Sequence, residues 1–285
     1  MNRKGRAAVG KQTVEILQRG EYQTAGGVAV SIADALYAAV KGTIHYAPEE
    51  FPKLFKQRDA LIAQRVEKVR TRFSVVNQTT LSAAKSLVDG HPGEPVLVLN
   101  FASAKNPGGG FLGGSQAQEE SLALASGLYA CINNVAGYYE TNRACRTPLY
   151  TDNMIYSPGV PVVRNDADEL IEHPFAVSMI TAPAVNAGAV KKNRPRDVRK
   201  IDPIMQARIE QVLSIACVHQ QHHLVLGAWG CGVFKNDPAK VAGWFGQQLR
   251  NEGKFASVFQ SVVFAVLDHS DDHHFIGPFE EQFGK

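Results

Sequence analysis

The run Val96-Leu97-Val98-Leu99 is apolar at every position, and it constrains the fold more than any other stretch of the chain. A strand with one wet face alternates polar and apolar residues. A strand that is apolar throughout is covered on both faces, which calls for helices above and below the sheet. Further candidate strands lie at residues 154–156, 175–181, 223–228 and 261–267, with helical patterns between them. The fold class expected is therefore α/β, a mixed, largely parallel sheet sandwiched by helices. At 285 residues and 45% apolar content the chain can bury a sizeable core, and one enlarged domain over 1–285 is the organisation expected.

Residues 1–90 read as a mainly helical N-terminal extension packed on that core. Val14, Ile16 and Leu17 mark one segment, residues 32–40 a second, and a charged stretch over 49–69 a third. Three later helices have sharper signals. Leu122, Ala125, Leu128, Tyr129 and Ile132 recur at three-and-four spacing, predicting one helix that begins at Gln118-Glu119-Glu120 and carries both carboxylates in its first turn. Met205, Ile209, Val212, Ala216 and His219 form a second stripe, opened by Asp202-Pro203 as cap and first residue, which makes His219 a core or edge residue. The third opens at Asp237-Pro238 and buries Val241, Trp244, Phe245 and Leu249.

Composition excludes several function classes. Thirty basic against 27 acidic residues leave a net charge of +3, too little for a general polycation, so neither direct nucleic-acid binding nor a membrane surface is expected. Cys131, Cys145, Cys217 and Cys231 have neither the paired spacing of zinc sites nor the density of a disulfide scaffold, which suits a reducing cytoplasm. Arg3, Lys4 and Arg6 are followed by no apolar segment and no run of about 18 apolar residues occurs, so a soluble, non-exported protein is expected. Lys191, Lys192, Arg194, Arg196, Arg199 and Lys200 crowd ten positions; a solvated loop is the plain reading, a contact arm for a polyanion the alternative.

Two glycine-rich turns stand at the ends of apolar runs, Asn106-Pro107-Gly108-Gly109-Gly110 and Gly227-Ala228-Trp229-Gly230-Cys231-Gly232-Val233-Phe234. Glycine has no Cβ, so main chain can approach a ligand and aim its N–H groups at an anion such as a diphosphate. In open α/β sheets ligands lie outside the carboxyl ends of strands, where both turns are expected. The second feeds the helix from Pro238, an anion-friendly terminus. Phe234 at its end suits stacking on a base or plain core packing. Neither turn matches a nicotinamide dinucleotide fingerprint. Gly113-Gly114-Ser115-Gln116-Ala117 departs from a hydrolase nucleophile elbow at Ala117. The tail Asp268-His269-Ser270-Asp271-Asp272-His273-His274 reads as a polar segment before it reads as a metal site, so no metal and no cofactor is expected.

The run Asn100-Phe101-Ala102-Ser103-Ala104-Lys105-Asn106-Pro107-Gly108-Gly109-Gly110, followed after seven residues by Gln118-Glu119-Glu120, resembles the signature of bacterial-type poly(ADP-ribose) glycohydrolases. Residues 227–234 look like that family's diphosphate loop. The resemblance covers residues 95–268 and, more faintly, the N-terminal part. It implies a macrodomain-like α/β/α sandwich, hydrolysis of the ribose–ribose bonds of poly(ADP-ribose), and reversal of ADP-ribosylation in the DNA damage response. Glu120 would be the catalytic acid and Glu119 would hold hydroxyls of the distal ribose. Gln118, Gly108, Gly109 and Gly110 would bind substrate around that ribose and the diphosphate, with Ser103 and Asn106 near the ribose. Gly230, Cys231, Gly232 and Val233 would line the diphosphate, and Phe234 would stack on adenine. Poly(ADP-ribose), ADP-ribose and modified proteins are the partners implied, for an enzyme expected to be monomeric.

Adjacent helical residues point about 100° apart, so Glu119 and Glu120 are not expected to flank one glycosidic bond, and Glu120 is expected to act alone as acid and then base. Two rival functions remain at this stage. One is a macrodomain that only binds ADP-ribose, which has no need of an acid at position 120. The other is a hydrolase that removes single ADP-ribose units from proteins.

Overall fold

In a computed structural model, residues 1–65 and 69–284 are described. The chain runs α1 (Arg3–Arg19), β1 (Glu21–Gln23), β2 (Ala29–Ser31), α2 (Ala33–Lys41), β3 (Ile44–Tyr46), α3 (Phe51–Ala63), β4 (Arg72–Val76), α4 (Thr80–Gly90) and β5 (Val96–Phe101). It continues through α5 (Gln118–Ala125), α6 (Leu128–Ile132), α7 (Ala136–Ala144), β6 (Met154–Arg164), β7 (Leu170–Ala182), α8 (Ala187–Asn193), α9 (Ile201–Val218), β8 (His223–Leu226), α10 (Pro238–Leu249), β9 (Ser261–Ala265) and α11 (Gly277–Phe283). The seven-stranded sheet has the order β3-β6-β7-β5-β8-β9-β4, and β1 and β2 form a separate hairpin. Among the described residues, 1–90 hold four α-helices but also β1 to β4, and the charged stretch contributes α3, with its residues 66–68 outside the described ones.

Two compact units divide the chain. The first comprises Met1–Tyr46, Asn100–Ala144 and Asn153–Ala182. In it β3, β6 and β7 pair antiparallel. Register slips between Ser157 and Val160, where Pro158 lacks the N–H a ladder needs. α1 lies against a short 3-10 turn, Phe111–Gly113, and Phe111, Ala123 and Leu124 close a small core with Val9 and Val14. The second unit comprises Ala47–Leu99, Cys145–Asp152 and Pro183–Lys285. In it β5, β8, β9 and β4 run parallel. Val96, Leu97, Val98 and Leu99 are buried without exception, as a doubly covered strand requires, whereas the edge strand β4 is partly exposed.

The helix predicted from Gln118 to Ile132 is in fact two. Ser126 adopts an extended backbone (φ −145°, ψ 175°) and bridges to Val162. Its hydroxyl donates to the Leu122 carbonyl (2.7 Å) and accepts from the Leu128 N–H (3.2 Å), replacing the helical bonds lost at the break. Gly127 then passes so close to Leu36 and Pro161 that a Cβ would lie 2.8 Å from Leu36. The start of α9 also differs: Asp202 lies inside its first turn and pairs with Lys240 (2.8 Å), leaving the helix without a side-chain cap. α10 opens as predicted, with Asp237 Oδ1 accepting from the Ala239 and Lys240 N–H groups. His219 is half-buried, and burial pushes its imidazole down to about 4, the behaviour of an uncharged packing residue. The basic stretch from Lys191 to Lys200 is exposed apart from Asp197, which pairs with Lys200.

Candidate active site

β5 ends inside the first unit, with Asn100 buried and Phe101 half-buried. The glycine triplet does not follow at once. Residues 102–107 intervene, with the Ala102 N–H donating to the Ala182 carbonyl (3.2 Å) and the Ser103 hydroxyl accepting from the Lys105 and Asn106 N–H groups. The Gly109 N–H donates to the Asn106 carbonyl (3.0 Å), and Gly108 and Gly109 take φ of +66° and +59°, the left-handed region that an L side chain enters only at a cost.

The turn is shaped around the two carboxylates that α5 carries in its first turn. The Gly110 N–H donates to Glu120 Oε1 (2.9 Å). A Cβ on Gly109 would fall 2.4 Å from Glu120 Oε1 and 3.3 Å from Glu119 Oε2, so the two carboxylates converge on one residue of the loop. Side chains that leave the helix at different angles thus end on the same side. Flanking one bond from opposite sides is thereby excluded more firmly than helix geometry alone implied.

Glu119 and Glu120 differ in environment. Glu119 is only 3% exposed. Its Oε2 accepts from the Ser103 N–H (2.6 Å), and its Oε1 accepts from Asn100 Nδ2 (3.3 Å), which also reaches the Thr181 hydroxyl (3.1 Å). Burial nevertheless dominates those donors, and with the charge of Glu120 added it raises the Glu119 carboxyl to about 8. Glu119 is therefore a neutral acid at pH 7, able to donate as well as accept. Burial, reinforced by Glu119, also drives the Tyr139 phenol far upward. Glu120 is half-buried, which leaves it the more accessible of the pair. Gln118 turns back on the strand, its Oε1 accepting from the Phe101 N–H (2.9 Å).

α1 holds the far side of the glycine loop. Arg3 Nε donates to the Gly113 carbonyl (2.9 Å) and Arg6 Nε to the Gly114 carbonyl (3.0 Å). A Cβ on Gly114, at φ +74°, would collide with the Arg3 carbonyl at 2.0 Å. Reading the sequence did not find this strap, because arginines near a terminus carry no signal of what they grip.

The second glycine loop belongs to the other unit and begins directly after β8. Trp229 is buried beneath it, and Asn236 ties it shut, with Nδ2 donating to the Val185 (2.8 Å) and Gly230 (3.1 Å) carbonyls. Gly230 takes φ +75°, and a Cβ there would lie 2.6 Å from Ala184. Cys231 is buried, its thiol pushed up by burial. Gly232 is exposed with open space over it, and Val233 is 79% exposed, an apolar side chain left in solvent at the loop tip. Phe234 is half-buried, its ring 5.9 Å from that of Tyr150 at 40°. Tyr150, whose backbone is also left-handed (φ +58°), is a second aromatic candidate that sequence reading missed. The polar tail has a structural role: Asp268 Oδ1 accepts from Ser270, and Oδ2 from the Phe275 and Ile276 N–H groups.

A strand leading into a glycine turn that cradles two helix-borne carboxyls, one neutral and one accessible, defines a glycoside-hydrolase type of site on a macrodomain-like α/β fold. The family model described as "Microbial-type PARG, catalytic domain" matches residues 10–165. Among solved structures, the poly(ADP-ribose) glycohydrolase (PARG) from Thermomonospora curvata is 45% identical, with TM-score 0.92, over 98% of this chain and 100% of that one. The same enzyme bound to the inhibitor ADP-HPD matches at 45% identity and TM-score 0.90, with the same coverage. The PARG from Deinococcus radiodurans in complex with ADP-ribose is 45% identical with TM-score 0.80, covering 87% of this chain and 96% of that one. No curated protein sequence matches. The chain belongs to the microbial-type PARG family, and is a hydrolase of that family.

Proposed function

We infer that the chain hydrolyses the ribose–ribose glycosidic bonds of poly(ADP-ribose), releasing ADP-ribose and reversing poly(ADP-ribosyl)ation. Glu120 is assigned as the acid: having taken up a proton in the substrate complex, where the bound diphosphate and the exclusion of water favour it, Glu120 protonates the oxygen of the departing ribose as the bond to the anomeric carbon breaks, then takes a proton from the water that adds to that carbon. Glu119, buried and neutral, holds ribose hydroxyls and cannot itself supply a second, opposite carboxylate. Gly108, Gly109 and Gly110 shape the surroundings of that ribose, with Ser103 and Asn106 beside it. Gln118 is assigned a supporting part, holding the end of β5. Gly230, Cys231, Gly232 and Val233 are assigned to the diphosphate, and Phe234 to adenine.

The observation that carries this reading is the convergence of both carboxylates on Gly109, with Glu120 held by the Gly110 N–H. A module that only bound ADP-ribose would gain nothing from burying a neutral acid beside an accessible carboxylate. The same convergence leaves the enzyme with one acid–base residue, so its removal is decisive. Incubating polymer with the wild type and Glu120→Gln, and following free ADP-ribose, is expected to show release falling by at least about 10²-fold, in the range of lost general acid–base catalysis. ADP-ribose binding, measured by calorimetry, stays intact. Equal release by both proteins removes Glu120 from its role.

As partners we assign poly(ADP-ribose), ADP-ribose and the modified proteins that carry the polymer. Residues 1–285 are proposed to act as one catalytic domain with 1–90 as its extension, monomeric and cytoplasmic. None of Cys131, Cys145, Cys217 and Cys231 forms a disulfide among the described residues, which supports a reducing compartment. No helix among the described residues is long and apolar enough to cross a membrane.

A further inference from the structure

At the N-terminal ends of β5 and β8, within the second unit, three metal-ligating side chains meet. His91 follows the last residue of α4, Glu94 lies three residues on, and His223 opens β8. One ligand atom from each lies within 4.8 Å of the other two. His223 Nε2 is 3.2 Å from Glu94 Oε2, and the His91 and His223 rings stack at 4.0 Å, 18° from parallel. Tetrahedral zinc with bonds of about 2.0–2.1 Å sets its ligand atoms roughly 3.3 Å apart, so the Glu94–His223 spacing matches a coordination edge, while the partly exposed His91 ring turns out of its stack to aim a nitrogen at the ion.

We propose that His91, Glu94 and His223 form a binding site for one divalent transition metal of the zinc class, with His222 as an adjacent fourth donor. His223 is fully buried, and its Nδ1 lies 2.7 Å from the Ser261 hydroxyl, which leaves Nε2 as the atom facing Glu94. Metal-binding imidazoles are oriented in this way, one nitrogen held by a polar neighbour so that the other meets the ion. His222 Nδ1 is 3.1 Å from Glu94 Oε2 on the solvent side, and Gln260 Nε2 steadies the same oxygen at 2.9 Å.

Main-chain bonds set this geometry independently of any ion. The Glu94 N–H donates to the His91 carbonyl (3.1 Å), and the His222 and His223 N–H groups both donate to the Pro95 carbonyl (3.2 Å). Gly93, at φ +82°, makes the turn between prolines 92 and 95. In the ion-free network the His223 Nε2–H donates to Glu94. On binding, the imidazole adopts its other tautomer, with Nδ1–H donating to the Ser261 hydroxyl and Nε2 free to meet the metal, so the ring keeps its one proton. The site staples the α4–β5 turn to the start of β8. No motif announced it, because two of its ligands come from one turn and the third from a strand distant in sequence.

The test uses the full-length protein stripped with a chelator and titrated with Co²⁺, read by visible d–d absorption. One Co²⁺ per chain is expected, displaced by Zn²⁺, with a rise in thermal midpoint. His91→Ala and Glu94→Gln, whose side chains are partly exposed and whose folding circular dichroism checks, are each expected to weaken binding at least about tenfold. His269→Ala, a surface histidine outside the cluster, is expected to bind as wild type. Absence of saturable binding at metal equimolar with protein, or undiminished binding by both cluster variants, overturns the proposal.

Discussion

Replacing Glu119 with glutamine isolates one proton. In the unfolded chain the Glu119 carboxyl titrates at 4.5, and in the folded protein at about 8. Between those values the native state holds a proton that the unfolded state has lost, so stability falls as pH rises through this window and the loss is complete above about 8. At 1.36 kcal/mol per unit, a span of about 3.5 units gives an upper limit of roughly 5 kcal/mol. Glutamine has no titration, so its stability profile lacks this limb. The amide fits the site at a modest, pH-independent cost of about 1–2 kcal/mol. Its carbonyl can keep the Ser103 N–H, and a turn of the Asn100 amide presents Asn100 Oδ1, which has no partner among the described residues, to the new NH₂. The assay is urea unfolding of wild type and Glu119→Gln from pH 5 to 9, taking the difference so that the other titrating groups cancel. The variant is expected to be the less stable at pH 5 and the more stable at pH 9. Parallel profiles across this range would show that Glu119 is ionised throughout and refute the argument from burial.

Gly109→Ala places a methyl 2.4 Å from Glu120 Oε1 at φ +59°, so it is expected to cost about 1–2 kcal/mol of stability and to reduce polymer hydrolysis far more than that loss explains; activity within twofold of wild type counts against the cradle. Phe234→Ala is expected to weaken ADP-ribose binding by about 1–3 kcal/mol, the worth of one stacked base, with kcat for bound polymer little changed; unaltered affinity by calorimetry removes Phe234 from the adenine site.

Much of the candidate site is contiguous in the chain and was therefore legible. The doubly covered strand, the glycine triplet and Gln118-Glu119-Glu120 lie within one stretch of the sequence, where backbone rules act locally. What holds them was not. Thr181 reaches Asn100 from β7, Arg3 and Arg6 reach the loop from α1, and Tyr150 reaches Phe234 from a turn before β6. The break at Ser126 shows the same limit. A three-and-four stripe records which residues are buried, and Leu122, Ala125, Leu128 and Ile132 are, but it does not record that the backbone stops to pair with Val162.

By itself the sequence determined the layer class, the positions of both glycine loops and the adjacent carboxylates of the candidate site, because apolar periodicity and glycine's backbone freedom are properties of neighbouring residues. Tertiary structure alone decided which carboxyl is neutral and which stays accessible, and it alone assembled the His91, Glu94 and His223 cluster. A carboxyl's charge depends on the dielectric and donors around it, and a ligand set depends on distances across strands; both arise only when remote segments pack.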